Sequence, residues 1–578
     1  MNRQLVHVLL ALVVTTGCQR EPPPSHIFHT GNIVTVDPQF RTVEAMAIRD
    51  GRIIAVGMNA DIVRRAGSGT EQIDLGGKTV LPGLIDSHVH APSASMYEFE
   101  QPVPDMESVE DVLRYFRTRA ERTEPGRWIT LSQVFITRLR EQRYPTRTEL
   151  DRAAPRHPAA FHTGPDASLN SMALSMSGID AKFQVPDGQP CRVERDPGGH
   201  PTGILRNCAQ YIRSASGGSS PSEADRLARL RELLADYNAV GITSIVDANT
   251  SQRDLELYRT LLEQNALTCR TFMAYGVDAQ APLDRIEKTI REAASHPLHQ
   301  HSDMLWLRGI KVFLDGGMLT GSAYMRQPWG VSKIYAIDDS EYRGVRFIEP
   351  EKLYQIARLA LANELQFTAH SQGDGAVDAM VEAYERINRD DFPVRDRRPS
   401  ITHASFMSQE SIAKMQALGV VANLQPAWLY LDGTTLRQHF GAERLAYFHP
   451  YRTLFEDGVT VGGGSDHMQK IGSLRSINPY NPFLAMWTTL VRQPRGSEAP
   501  LHPEQNLTRE QAIRLYTINN AFLTFEEARK GSLEPGKLAD FIVIDRDILT
   551  CPVEQVKDIK VEATYLGGRR VYERQAEH

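Results

Sequence analysis

Cysteine is scarce in this 578-residue chain, and neither sign of charge dominates it. The five cysteines, at positions 18, 191, 208, 269 and 551, lie too far apart for a zinc knuckle or a dense disulfide framework. Sixty-five basic residues face 71 acidic ones for a net charge of −6, so no broad basic surface is implied and nucleic acid is not an expected partner. The apolar run over residues 5–14 falls well short of the roughly 20 residues needed to cross a bilayer. Apolar residues are not lacking: 41% hydrophobic against 24% charged is ordinary globular composition, which excludes disorder for the whole. The length suits three or four domains of about 150 residues, or one large barrel with attached modules.

The first 25 residues read as export signal and tether. Arg3 precedes the short apolar run, and Thr15-Thr16-Gly17-Cys18 supplies small residues before a cysteine. This resembles a bacterial lipoprotein signal in which Cys18 receives the lipid anchor, with Thr15 where leucine is usual. An ordinary cleaved signal is the alternative. Either one implies export to the bacterial cell envelope, periplasmic or lipid-anchored. Glu21-Pro22-Pro23-Pro24-Ser25 then forms a stiff, solvated link.

Both ends of the remaining chain are rich in short strands. Residues 43–48 and 52–56 alternate around the turn Asp50-Gly51, and residues 540–544 and 561–566 read the same way. The ends are therefore expected to build one small β-sandwich module from residues 26–80 and 516–578. Between them, helix-to-strand units recur. A helix over residues 222–240, started by Ser222 and Asp225 and stopped by Gly241, precedes a strand at 242–246. Further strands fall at 267–274, 305–314, 366–370, 401–403, 420–424 and 459–463. The expectation is an α/β fold: a (β/α)8 TIM-type barrel over residues 81–515, with an insertion at about 95–235 and a flexible joint at 217–221.

Metal-binding side chains fall at the C-terminal ends of these strands. An apolar strand over residues 80–85 leads into Asp86-Ser87-His88-Val89-His90, where two histidines two apart share a face. His370, His403 and Asp466 each end another apolar strand. Taken singly, each reads more readily as a structural histidine or a surface carboxylate. Their common placement reverses that reading, because barrel strand ends converge on one mouth. Lys311 lies inside Ile310-Lys311-Val312-Phe313-Leu314, a strand apolar enough to be buried on both faces. A buried lysine needs a partner such as Asp315, or chemical change into a carbamate.

These residues resemble the amidohydrolase superfamily, and more narrowly the amidohydrolase 3 family that includes N-substituted formamide deformylases. The resemblance runs through residues 80–90, 311–316, 369–374, 402–404, 464–466 and 531–541, with Asp196-Pro197-Gly198-Gly199-His200-Pro201-Thr202-Gly203 matching the insertion. It implies that His88, His90 and Asp466 bind one metal, that His370 and His403 bind a second, and that carboxylated Lys311 bridges them. The expected cofactor is a divalent metal, zinc first, at one or two per chain. The chain departs from the family at Ala167, where histidine is common, and at His467-Met468, where an aromatic residue and proline are common.

The implied chemistry is hydrolysis of a non-peptide C–N bond, amide or N-formyl or N-acyl, in a small-molecule substrate. A metal-activated hydroxide attacks, and Asp466 serves as the catalytic proton carrier. Trp428, Tyr430, Tyr324 and Met325 follow strand ends and are candidates for an apolar wall or for core packing. Asp315 and Asp374 are candidates to orient Lys311 and His370, or to cap helices. Alternatives are an ester, lactone or phosphoester hydrolase on the same site, and a non-catalytic solute-binding lipoprotein.

Overall fold

The computed structural model describes residues 22–575 apart from 100–101, 133, 165, 188, 190, 215–220, 336, 470–471 and 473–477. The segment expected to be an export signal, Cys18 included, lies outside the described residues, as does most of the joint expected at 217–221. No helix among the described residues is long and apolar enough to cross a membrane.

Eight parallel strands form one sheet in chain order: β1 (Leu84–Val89), β2 (Ile242–Thr250), β3 (Arg270–Gly276), β4 (Leu305–Phe313), β5 (Gln366–Ser371), β6 (Ser400–His403), β7 (Val421–Leu424) and β8 (Val461–Gly463). The loop after β8 closes the ring on β1, where Asp466 N donates to His88 O at 2.8 Å and His90 N donates to His467 O at 2.9 Å. This is the TIM-type barrel expected from the repeated helix-to-strand pattern. Its helices bury their apolar faces on the outside of the strands. In Glu223–Ala239, started by the Ser222–Asp225 capping box, the residues Leu230, Leu233, Leu234 and Tyr237 pack with Leu84, Val89, Ile242 and Ile245.

That helix belongs to the barrel, so the inserted segment ends before it and is shorter than the expected 95–235. At the other end, Asn520 on the helix Ile518–Leu523 donates to Gly463 O at 2.8 Å and to Ile85 O, joining β8 to β1 beyond residue 515. The insertion carries its own five-stranded sheet, in the order Arg192–Arg195, Pro201–Arg206, Asp166–Leu169, Ala159–Thr163 and Ile129–Leu131. A disulfide joins Cys191 to Cys208 at the edge of that sheet, a pairing the wide cysteine spacing did not suggest.

The two chain ends meet in two sheets. One has six strands, with Phe541–Ile544 between Thr79–Pro82 and Val561–Leu566; the other has four, including His26–His29 and Ala45–Arg49. Phe28 packs edge-on against Phe541 and Tyr565, at 4.8 and 5.1 Å between ring centroids, and so joins the sheets into a sandwich. The strand expected over residues 80–85 is thus two strands. Thr79–Pro82 pairs in the sandwich, and the barrel strand starts at Leu84. The break is Gly83, where a Cβ would sit 2.2 Å from Thr243 Oγ1. Both halves are buried, so the apolar run gave no sign of the division.

Candidate metal centre

The loop after β8 can reach β1 because Gly464 has no side chain: a Cβ there would lie 2.7 Å from His88 N. The chain then turns through Asp466 at φ 55°, a left-handed conformation rare outside glycine, and aims its carboxylate across the barrel mouth. Asp466 Oδ1 lies 3.2 Å from His88 Nε2 and 3.4 Å from His90 Nε2. Ligand atoms of the three residues lie within 4.8 Å of one another. Beneath them, Asp86 Oδ1 accepts from both His88 N and Ser465 N at 3.0 Å and ties the two strand ends together. Asn478 Nδ2 donates to Asp466 O at 2.8 Å and to its Oδ2 at 3.3 Å.

His370 and His403 stand beside this group. Their rings are 4.5 Å apart, and the His403 ring is 5.1 Å from that of His88. His403, at φ 75°, is a second left-handed turn at a strand end. Its Nδ1 is held by Gln425 Oε1 at 2.7 Å, which leaves Nε2 as the nitrogen with a free lone pair. His370 Nε2 lies 3.3 Å from Gly316 O.

Lys311 is 1% exposed, and its Nζ has no hydrogen-bond partner among the described residues. Asp315 does not pair with it. That carboxylate instead accepts the main-chain N–H groups of Gln372, Gly373 and Tyr324, each at 2.9 Å, and lies 3.8 Å from His370 Nε2. Asp374 accepts from Arg326 N at 2.8 Å in the first turn of its helix.

Burial governs the protonation of this cluster. It pushes His370 down to about 3, aided by repulsion from Lys311, and holds His88 and His403 well below the ordinary histidine range. These imidazoles are neutral at pH 7, the form that ligates a metal. Burial also brings the Lys311 amine down to about 7 and raises the Asp466 carboxyl, against the pull of His90.

The donor set fits a cation. His88 Nε2 and Asp466 Oδ1 are both buried without a hydrogen-bond partner, and a cation between them would satisfy both. Two imidazole nitrogens and a carboxylate oxygen are ligands of the kind zinc takes. His370, His403 and Lys311 offer nitrogen only, so a second cation there would lack an anionic ligand from the unmodified side chains.

The cluster opens into a cavity of about 390 Å³ lined also by Phe135, Phe313, Leu319, Phe347, Trp428 and Met468. Of the wall residues read from the sequence, Trp428 takes that place. It stacks on His403 at 5.0 Å, and its indole N–H donates to Asn478 Oδ1 at 3.2 Å. Met325 packs in the insertion-side core and Tyr430 against Trp487, away from the lining. Ala167 is buried in the insertion's own core, and His467 is hydrogen-bonded at 2.8 Å to the Tyr237 hydroxyl. Of the two departures, only Met468 reaches the cavity.

Gln425 and Asn478 were missed in the sequence. Gln425 follows an apolar strand end and could have been flagged as a polar residue out of place. Asn478 had no such signal.

The amidohydrolase family model matches residues 71–572. The chain is 28% identical to the N-substituted formamide deformylase of Arthrobacter pascens, over 94% of this chain and 97% of that one. Its fold is similar to that of an uncharacterized metal-dependent hydrolase from Pyrococcus horikoshii OT3 (TM-score 0.66, 22% identity, covering 92% of this chain and 99% of that one). It is also similar to that of the atrazine chlorohydrolase TrzN of Arthrobacter aurescens TC1, solved with zinc (TM-score 0.53, 17% identity, covering 95% of each chain).

Proposed function

The chain belongs to the amidohydrolase 3 family, enzymes acting on carbon–nitrogen bonds other than peptide bonds, and from that membership we propose that it hydrolyses an amide, N-formyl or N-acyl bond of a small molecule. One observation carries the reading: His88, His90 and Asp466 converge, two of their ligand atoms buried and unpartnered, at the C-terminal mouth of a barrel and beside a cavity.

His88, His90 and Asp466 would hold one divalent cation, and zinc suits them. When bound, the cation supplies the Lewis acidity that brings the pKa of a water to about 7. The chain's own residues do the rest. Asp466 Oδ2, steadied by Asn478 Nδ2, takes the proton of the water as its oxygen bonds to the carbonyl carbon. The same oxygen returns the proton to the nitrogen as the C–N bond breaks, so water and amide become carboxylic acid and amine. The apolar side chains of the cavity leave less water around these charges, which strengthens their interaction.

Lys311 completes the reading as a carbamate. CO2 adds to the neutral Nζ, an N–C bond forms and one proton leaves, which gives His370 and His403 the anionic partner for a second cation. The buried, unpartnered Nζ supports this assignment. We further propose export to the cell envelope, with Cys18 as the site of a lipid anchor. The Cys191–Cys208 disulfide fits the oxidising compartment that this requires.

The test is metal content per chain of the protein lacking residues 1–25, measured beside turnover of an N-acyl and N-formyl amide panel. Metal-dependent turnover that a chelator stops, and that Asp466→Asn abolishes with the fold intact, is expected. A protein that takes up no metal even when supplied, or an Asp466→Asn variant of near-normal activity, would refute the proposal.

A further inference from the structure

We propose that the substrate carries an aromatic ring, or an apolar group of similar bulk, seated on Phe313. The inference rests on the hydrolytic reading above and narrows its substrate class.

Phe313 is out of place for a barrel residue. Strand β4 is buried through Ile310, Lys311 and Val312, yet Phe313 at its end is 41% exposed. Five large hydrophobic side chains are exposed among the described residues, and of these Phe313 alone lines the cavity. One side of its ring is occupied within the site: His370 lies 5.7 Å away at a 32° tilt, and Lys311 Nζ is 5.6 Å from the ring centroid. The exposed remainder is apolar surface next to the candidate ligands, where a bound group would cover it.

Much of the remaining lining has the same character. Leu319, Phe347 and Met468 come from barrel loops, Trp428 from the first turn of the helix Ala427–Phe440, and Phe135 from the insertion. Phe135 is held there by Arg138, whose guanidinium lies 5.0 Å over its ring and pairs with buried Asp432 at 2.8 Å. Among the described lining residues, charge belongs only to the candidate ligands and Asp315. The Asp315 carboxylate is already taken up by three main-chain N–H groups. The remaining polar lining side chains, Ser93, Thr320 and Gln372, are uncharged, so a substrate carboxylate seated against the apolar part of the wall would lose its water at a cost an aryl group avoids. The volume, about 390 Å³, has room for an amide with one ring beside it.

The test compares four probes on the metal-supplied full chain, with binding followed by quenching of tryptophan fluorescence, since Trp428 lines the cavity. N-methyl-2-phenylacetamide and N-phenethylacetamide place a ring on either side of the amide. N-methylacetamide lacks the ring, and N-methylsuccinamate replaces it with a carboxylate. Both aryl probes are expected to bind at least about tenfold more tightly than the other two. Phe313→Ala should erase most of that ratio, while Phe313→Leu, which keeps apolar bulk, retains part of it. Equal or tighter binding of the small or acidic probe overturns the proposal, as does an unchanged ratio in Phe313→Ala. Product formation from the same probes keeps the two readings apart. Phe313-dependent aryl binding without turnover sinks the hydrolytic reading alone, and turnover without aryl preference sinks this one alone.

Discussion

Gln425→Ala tests whether the histidines of the second group are set up as ligands. Gln425 is fully buried, and its Oε1 holds His403 Nδ1 at 2.7 Å. Truncation leaves a buried ring N–H with no acceptor, at a cost of about 1–3 kcal/mol. The ring can escape that cost by moving its proton to Nε2, but the lone pair that faces the site is then lost. At about 1.4 kcal/mol per factor of ten, the penalty becomes roughly a 5- to 150-fold loss of affinity for the cation held by His403. That span brackets the 10- to 100-fold typical of residues that orient metal ligands. The assay is zinc competition against a chelator of known affinity, with thermal unfolding of the metal-free protein as a check on the fold. Gln425→Glu keeps an acceptor oxygen and should retain affinity. Wild-type affinity in Gln425→Ala refutes the argument, and so does an equal loss in Gln425→Glu, which would make the effect one of packing.

Three further outcomes are expected. Lys311→Met should lower the metal content by about one ion per chain without lowering the melting temperature of the metal-free protein, because it removes a buried polar group that has no hydrogen bond to lose; unchanged metal content would refute the bridging role. Asp540→Ala should cost about 3–5 kcal/mol in urea unfolding, since it strands buried Arg270, bound at 2.6 Å, at the junction of sandwich and barrel; a loss under about 1 kcal/mol would show the pair contributes little. For Glu526, burial pushes the carboxyl up but Lys530 at 2.7 Å and His301 pull it further down, to about 2 from an ordinary 4.5. Its stabilising contribution is therefore complete above pH 4.5 and lost as pH falls toward 2, so Glu526→Gln should flatten acid unfolding over that window; an unchanged profile would refute the assignment.

Some of this could be read one residue at a time. Local patterns located the helix begun by Ser222 and Asp225, because a capping box and a glycine stop act within a few residues. They likewise placed strands β2–β8 to within a few residues. They could not see the switch of sheets at Gly83, since two buried strands in series look like one apolar run. Nor could they see which polar groups remain unsatisfied, because that depends on residues hundreds of positions away: Asp315 is spent on the main chain of Gln372 and Gly373, and Lys311 is left alone.

The sequence by itself determined the barrel and its six candidate ligands, His88, His90, Lys311, His370, His403 and Asp466. Hydrophobic periodicity and residues at strand ends are local properties, and parallel strands in order can bring their ends to only one mouth. Tertiary structure decided how closely those ligands meet. His88, His90 and Asp466 close on one another because the β8 loop folds back over Gly464, while His370 and His403 face an amine. It also decided what lies in front of them. The cavity wall combines Phe135 from the insertion with Phe313 from the end of β4, Trp428 from the helix Ala427–Phe440 and Met468 from the loop after β8, and side chains so far apart in the chain share a surface only once the barrel has closed.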